Sequence, residues 1–335
     1  MSSEFDLAEE AEALRSALQR EQRAHRKAKL KSEAIVDAVY RAARDAATAQ
    51  GPAKLPKTHR DSRRRSGEVA LIHATDWQLG KQTADYDIAA CEKRVMRFAD
   101  KVHTLTNIQR ADHPVKHAHV MFGGDMVEGI SIFPGQAYEV EAHLFEQLFA
   151  CTRLMEQFTL SLLEGFETVS VTCEYGNHGR LGRKGDMPGG DNIDRMAYKI
   201  VGDRFDGHDR VTWRTTGDWY QIVNVGNYSA LLVHGDEIKS FGGNTPAFGI
   251  LRKCNQWSTG VIPEPFSDVY MGHFHTPMTL TMANGGQIYV TGSPESENVY
   301  AKEFMAATGH PSQRLHYVDP DAGRVTASYI VWVDN

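Results

Sequence analysis

From residue 67 onward, short apolar runs alternate with long amphipathic segments, and the two hydrophobic periods separate strands from helices. The run ValAlaLeuIleHisAlaThr at 69–75 predicts a buried strand, as do HisValMetPheGly at 119–123 and ThrValSerValThrCys at 168–173. Between them, Ile88, Cys91, Val95, Phe98, Val102 and Leu105 step by three and four. Leu144, Leu148, Cys151, Met155, Phe158 and Leu162 repeat the stepping, so each set lies on one face of a helix. After residue 210 strands dominate, at ValThrTrpArg, TyrGlnIleVal, SerAlaLeuLeuVal, AspValTyrMet and GlnIleTyrValThr, with a last hairpin turned by AspProAspAlaGly. Strand, helix, strand, helix, strand followed by a β-rich half predicts an α/β layered domain over residues 68–335.

The first 67 residues follow another pattern. No Gly or Pro interrupts residues 2–50, and 13 alanines sit there among Leu, Glu, Arg and Lys, which favours helix. Leu7, Leu14 and Leu18 form one apolar stripe and Ile35, Val36, Val39 and Tyr40 another, with a basic run between them. Residues 1–50 are therefore expected to form a basic helical arm, either a helical hairpin or an interrupted coiled coil. GlyProAlaLysLeuPro at 51–56 cannot continue a helix, and ArgAspSerArgArgArgSerGly at 60–67 cannot pack a core, so 51–67 is expected to be a linker.

The overall charge of -6 conceals a division. Residues 15–65 carry 15 basic and 5 acidic side chains, whereas the chain beyond residue 67 carries 22 basic and 33 acidic ones. Arg23, Arg26, Lys27, Lys29 and Lys31 on the arm, with Arg63, Arg64 and Arg65 in the linker, are candidate nucleic-acid docking residues, because phosphate neutralisation needs several cations within one reach. The plainer reading of such a run is a solvated helix face. An acidic body confines any DNA path to a local basic strip. No stretch approaches the ~18 uninterrupted apolar residues of a membrane helix. The acidic start MetSerSerGluPheAsp has no apolar run behind it, so a cytoplasmic location is expected. Cys91, Cys151, Cys173 and Cys254 show no Cys-x-x-Cys spacing and are expected to be small core hydrophobes.

Metal-ligand residue types gather where the strands should end. Asp76 and Gln78 follow the first strand, Asp125 in GlyGlyAspMet the second, and Asn177 and His178 in GlyAsnHis the third. His234 in ValHisGlyAsp, and His273 and His275 in GlyHisPheHis, follow later strands. Residues beyond the carboxyl ends of strands in an α/β sheet converge on one crevice, so ligands far apart in sequence can share a site. Carboxylate, imidazole and amide oxygen together suit Mn²⁺, Mg²⁺, Fe²⁺ or Zn²⁺. His103, His143 and His316 stand outside these blocks and are expected to be satisfied core histidines, with Trp77 and Phe274 packing beneath the site.

In spelling and order these blocks resemble the calcineurin-like metallophosphoesterase superfamily, whose pattern runs Asp-x-His, Gly-Asp, Gly-Asn-His, His-Gly or a lone His, and Gly-His-x-His. HisAlaThrAspTrpGlnLeuGlyLys at 73–81 and TyrValThrGlySerProGluSer at 289–296 look like the catalytic subunit of the SbcCD-type double-strand-break repair nucleases. The resemblance implies a layered β-sandwich flanked by helices and two divalent ions, Mn²⁺ foremost. It implies that Asp76, Gln78, Asp125 and His275 hold one ion and Asp125, Asn177, His234 and His273 the other, with Asp125 bridging. His178 would stay off the metals and protonate the leaving oxygen or stabilise phosphoryl charge. Arg180, Arg183 and Lys184 would contact further substrate phosphates. The implied activity is a DNA nuclease, endonuclease and exonuclease both being open, with a homodimer through the arm or the catalytic domain also open and no ATPase partner inferable.

Two positions depart from that pattern. Gln78 stands where relatives have His, which should weaken the first metal, and Gly179 stands where many carry Asp or Glu, so Asp186 or Asp191 is expected to orient His178. A small nucleotide or other phosphate ester would use the same metals, and the two departures leave open a degenerate metal- or nucleic-acid-binding module.

Overall fold

The computed structural model of the chain describes residues 15, 18–23, 26–27, 30, 34, 37–46, 48–57, 67–133, 135–182, 184–185, 187–239, 246–295 and 310–334. The chain divides into two compact units, residues 1–50 and residues 51–335. Within the first unit the described residues from 15 onward are helical, and Arg23, Arg26 and Lys27 are exposed. Leu18 and Leu30 are exposed as well. Lys29, Lys31, Arg63, Arg64 and Arg65 lie outside the described residues.

The second unit is α/β, with two mixed sheets flanked by helices. β1 (Glu68–Ala74), β2 (Val115–Phe122), β3 (Thr168–Cys173) and β4 (Val211–Thr215) run parallel, all four on the expected strand segments. The last hairpin, β10 (Ser312–Asp319) and β11 (Arg324–Trp332), pairs antiparallel against β1 and gives the order β11-β10-β1-β2-β3-β4. The second sheet has the order β5-β6-β7-β9-β8, from β5 (Tyr220–Val225), β6 (Tyr228–Val233), β7 (Asp268–Met271), β8 (Met278–Thr281) and β9 (Gln287–Val290). Among the described residues four α-helices complete it: α1 (Ile88–Gln109), α2 (Leu144–Gly165), α3 (Ile193–Phe205) and α4 (Ala247–Gln256). Asp87 starts α1 by accepting from Ala90 N at 2.7 Å, which satisfies one of the orphan donors of the first turn.

Strand alternation sorts the apolar side chains into layers. Leu71 and Met121 of the first sheet meet Leu232, Tyr270 and Tyr289 of the second between the sheets. The opposite faces turn outward: Leu231, Val269 and Ile288 pack under Ile250 and Cys254 of α4. On the outer face of the first sheet Trp77, Phe98, Phe122 and Phe158 form an aromatic cluster joining β2 to α1 and α2. Trp77 is fully buried, and its carbonyl accepts from Tyr86 Oη and Cys91 Sγ. Trp77→Ala is expected to cost ~3–5 kcal/mol of stability in urea unfolding. A loss below about 1 kcal/mol would contradict its place in the core.

The first part of the expected linker lies on this body. Ala53 N donates to Arg204 O at 3.1 Å and Arg210 Nη1 to Pro56 O at 2.7 Å, both anchors coming from the α3–β4 region. The four cysteines are buried and free, as their spacing suggested. His316 is buried between Tyr270 Oη at 2.6 Å and Ser328 Oγ at 2.8 Å, and His103 Nε2 meets Ser161 O at 3.0 Å. His143 corrects the expectation: it precedes the first turn of α2 and is exposed, so it is not a core histidine. Among the described residues no helix is long and apolar enough to cross a membrane.

Candidate metal centre

Five of the parallel strands, β1, β2, β3, β6 and β7, carry ligand-type residues just past their carboxyl ends, and cross-sheet contacts bring those ends together. His234, after β6, reaches across to Gly123 O after β2, its Nδ1 at 2.8 Å. His273 N, after β7, donates to both oxygens of Asp76 after β1, at 2.9 and 3.0 Å. His178 N, after β3, donates to Asp125 Oδ1 at 2.6 Å. Loops from five strands thus meet on two carboxylates.

Backbone conformation marks the same residues. Among the described residues, those other than glycine with positive φ are Asp76 (53°), Gln78 (42°), Asp125 (52°), His273 (66°) and His275 (54°). Each is a predicted ligand. Left-handed backbone costs a non-glycine residue of order 1–3 kcal/mol and persists where the surroundings over-determine it, so the strain points to a requirement on where these side chains aim. Close approach also needs Gly176, where an added Cβ would fall 2.1 Å from Asp125 Oδ1.

Asp125, His234 and His273 form a triad whose ligand atoms all lie within 4.8 Å of one another. Asp125 Oδ2 and His234 Nε2 are paired at 2.9 Å. Asn177 Oδ1, next in the chain to His178, is buried and has no hydrogen-bond partner. A buried amide oxygen left without a hydrogen bond is a donor atom with no partner in the protein. The donor set of imidazole, carboxylate and amide oxygen, without thiolate, fits a hard or borderline divalent ion.

The electrostatics suit a cation as well. Burial alone would depress His234, but the Asp125 charge overrides it and raises the imidazole well above its usual value. Burial disfavours the Asp125 charge in turn, and His234 and His178 more than offset this and hold its carboxyl below the usual range. His273 is lowered, by burial first and then by the neighbouring His234 charge, so its lone pair is free to ligate. These carboxylates favour any positive charge placed among them, proton or dication.

On the Asp76 side, His275 Nε2 lies 3.3 Å from Asp76 Oδ1 and its Nδ1 lies 3.0 Å from Glu295 Oε2. Gln78 is buried beside them, its Nε2 at 3.2 Å from His275 Nε2 and 3.4 Å from His178 Nε2. His178 is held by Glu128, whose backbone oxygen is 2.8 Å and whose carboxylate is 3.3 Å from Nδ1. Burial works against a charge on His178, but Asp125 and Glu128 override it and push the imidazole up to about 9.

Glu128 takes the orienting role expected of Asp186 or Asp191; Asp186 lies outside the described residues. Gly179 leaves no room for a carboxylate of its own, since a Cβ there would sit 2.2 Å from Asn192 Oδ1. Of the expected phosphate contacts, Lys184 Nζ donates to Asp236 at 3.2 Å, Arg180 Nη1 is 3.9 Å from the same carboxylate, and Arg183 lies outside the described residues. Trp77 packs beneath the site as expected, and Phe274 is half-buried with its ring edge-on to His273 at 5.1 Å.

Sequence reasoning missed three buried carboxylates: Glu128, Glu295 and Asp194. Asp194 accepts from Asp125 N at 2.9 Å, Met126 N at 3.1 Å, Val127 N at 3.3 Å and Gly176 N at 3.0 Å, which ties the loop after β2 to the loop after β3. Glu128 stands three residues after Asp125 and Glu295 directly after GlySerPro, so proximity to the blocks was the available signal.

No protein-family model and no curated protein matches the chain. It is similar to solved structures at low identity. Vps29 from Entamoeba histolytica, complexed with zinc, is 12% identical with a TM-score of 0.34, over 79% of this chain and 99% of that one. A metallophosphoesterase from Sphaerobacter thermophilus is 14% identical with a TM-score of 0.27, over 78% and 88%. The phosphopantetheinyl hydrolase of Mycobacterium tuberculosis is 11% identical with a TM-score of 0.33, over 78% and 100%. At such scores these likenesses carry no weight beside the side chains of the site itself.

Proposed function

We propose that the chain is a metal-dependent phosphodiesterase of the calcineurin-like kind that hydrolyses nucleic acid, with a DNA nuclease of the SbcCD-like type as the specific activity. The observation that carries the reading is the Asp125 carboxylate, buried between the His178 N–H and the His234 ring, with the unpartnered Asn177 oxygen in the same loop. Asp125, Asn177, His234 and His273 would hold one divalent ion, and Asp76, Asp125 and His275 a second, with Gln78 beside it. Mn²⁺ is the first candidate, and Mg²⁺, Fe²⁺ and Zn²⁺ suit the same donors. When bound, such ions withdraw charge from phosphate oxygens and supply a nucleophile at neutral pH.

The chain's own residues do the rest. Glu128 fixes His178 through Nδ1, so its Nε2 is the nitrogen turned toward the centre, where it can give a proton to the leaving oxygen. Asp76 and Asp125 orient the loops that carry His273 and His178 by accepting their backbone N–H groups. His178→Ala is expected to lower kcat by about 10²–10⁴-fold with metal content unchanged. Loss of metal in that variant would show that His178 is a ligand.

The nuclease reading is supported by the 15 basic against 5 acidic side chains over residues 15–65. A second reading, hydrolysis of a small nucleotide or other phosphate ester, is favoured by Asp236, which draws Lys184 and faces Arg180 beside the site. Hydrolysis of bis-p-nitrophenyl phosphate and of labelled linear DNA in Mn²⁺ separates them, comparing wild type with a triple Arg23→Gln, Arg26→Gln, Lys27→Gln variant. DNA cleavage that falls with added salt and in the triple variant, while the small diester is turned over unchanged, is the expected result. Turnover of the small diester alone would move the assignment to the second reading, and no turnover with any metal to a binding module.

A further inference from the structure

On the Asp76 side of the centre, two residues outside the reaction just described join the ligand-type residues in one series of contacts. Lys81 Nζ lies 2.6 Å from Glu295 Oε1 and donates to Gln78 Oε1 at 3.3 Å. The other oxygen of Glu295 stands 3.0 Å from His275 Nδ1. The Lys81 side chain is 17% exposed and that of Glu295 2%, so the pair is largely out of water, and each charge is held by the other.

An ammonium carries donors and no acceptor, so the end of the Gln78 amide that meets Lys81 is its oxygen. The NH₂ end therefore faces His275 and His178. In the tautomer a ligand must adopt, His275 keeps its proton on Nδ1, where Glu295 accepts it, and presents the Nε2 lone pair. The amide NH₂ faces the centre and its oxygen is spoken for by Lys81, so Gln78 offers an ion no oxygen there. Asp76 is partly committed too, accepting from His273 N and from Thr75 Oγ1 at 2.8 Å.

We propose that Lys81 and Glu295 clamp this half of the centre so that Gln78 is a hydrogen-bond donor and not a ligand. Asp76, Asp125 and His275 then hold an ion more weakly than Asp125, Asn177, His234 and His273 hold theirs, and the two halves load in sequence. This rests on the two-ion reading above. The Lys81 ammonium adds a fixed positive charge on the weak side, which opposes a second dication further. Glu295 is a positioning residue: it acts through His275.

The test is Mn²⁺ binding to the full chain by isothermal titration calorimetry, with bound ions per chain counted by elemental mass spectrometry and thermal unfolding of each metal-free variant as a check on folding. Wild type is expected to take up Mn²⁺ in two unequal steps. Gln78→Met keeps the length of the side chain and removes its oxygen, and should leave the weak step within about twofold, since a non-ligand contributes no coordination. Lys81→Met releases the amide and should tighten the weak step by about tenfold, the effect of an added oxygen ligand and a removed charge. Neither should move the tight step. A tenfold loss in Gln78→Met would make its oxygen a ligand and overturn the proposal, as would two equal steps in wild type or no tightening in a folded Lys81→Met. If Lys81→Met does not fold, Gln78→Met decides alone. A missing tight step in wild type would defeat the two-ion reading itself, a result distinct from a failed clamp, in which the tight step persists.

Discussion

Asp125→Asn is expected to leave a folded chain whose Mn²⁺-dependent hydrolysis of bis-p-nitrophenyl phosphate is lower by about 10³-fold or more, roughly 4 kcal/mol of transition-state stabilisation. Asp125 is 1% exposed and both its oxygens are engaged, Oδ1 at 2.6 Å to His178 N and Oδ2 at 2.9 Å to His234 Nε2. The asparagine keeps the shape but replaces an anion by a neutral amide, one end of which carries only donors. That end meets either the His178 N–H or the His234 ring, and neither arrangement offers a dication a shared carboxylate. Thermal unfolding of the metal-free variant separates lost chemistry from lost fold. Turnover within a few-fold of wild type would contradict the role given to Asp125.

The largest stability effect is expected at Asp194, a residue that touches no substrate. Its carboxylate accepts four backbone N–H groups, from Asp125, Met126, Val127 and Gly176. Asp194→Ala leaves those buried donors without an acceptor, each at a cost of about 1–3 kcal/mol unless water enters. A loss of about 4 kcal/mol or more in urea unfolding is the expected outcome, together with weaker Mn²⁺ binding as the two ligand loops part. Asp194→Asn should fall between, because one amide oxygen can accept part of what two carboxylate oxygens did. A loss under about 1 kcal/mol for the alanine variant would show that the loops hold their shape without this carboxylate.

What could be read in the chain follows from how local each signal is. Thr168–Cys173 and Asp268–Met271 have the bounds their sequence patterns predicted: the first alternates half-buried and buried positions over its first four residues, and the second is buried throughout. β8 (Met278–Thr281) escaped because it alternates half-buried and exposed positions over four residues, and α3 because its buried face mixes Asp194, Tyr198 and Ala197 with apolar residues. The ligand-type residues were legible because each sits in a short glycine-flanked block at a strand end. The carboxylates that hold those blocks were not. Glu128 matters through His178, Asp194 through Asp125 and Gly176, and Glu295 through His275 and Lys81, contacts that exist only after the chain has folded. A lone acid has no periodic partner to announce it. The exposed position of His143 shows the same limit from the other side, since a histidine beside an amphipathic run looks like core until the helix start is placed.

The central claim is that Asp125, Asn177, His234 and His273 form a divalent-cation site. It is tested most directly by the number of Mn²⁺ ions each chain retains after desalting, in wild type and in Asp125→Asn side by side. At least one tightly held ion per wild-type chain, lost in the variant, is the predicted result; no retained ion in wild type, or equal retention in both, would contradict it.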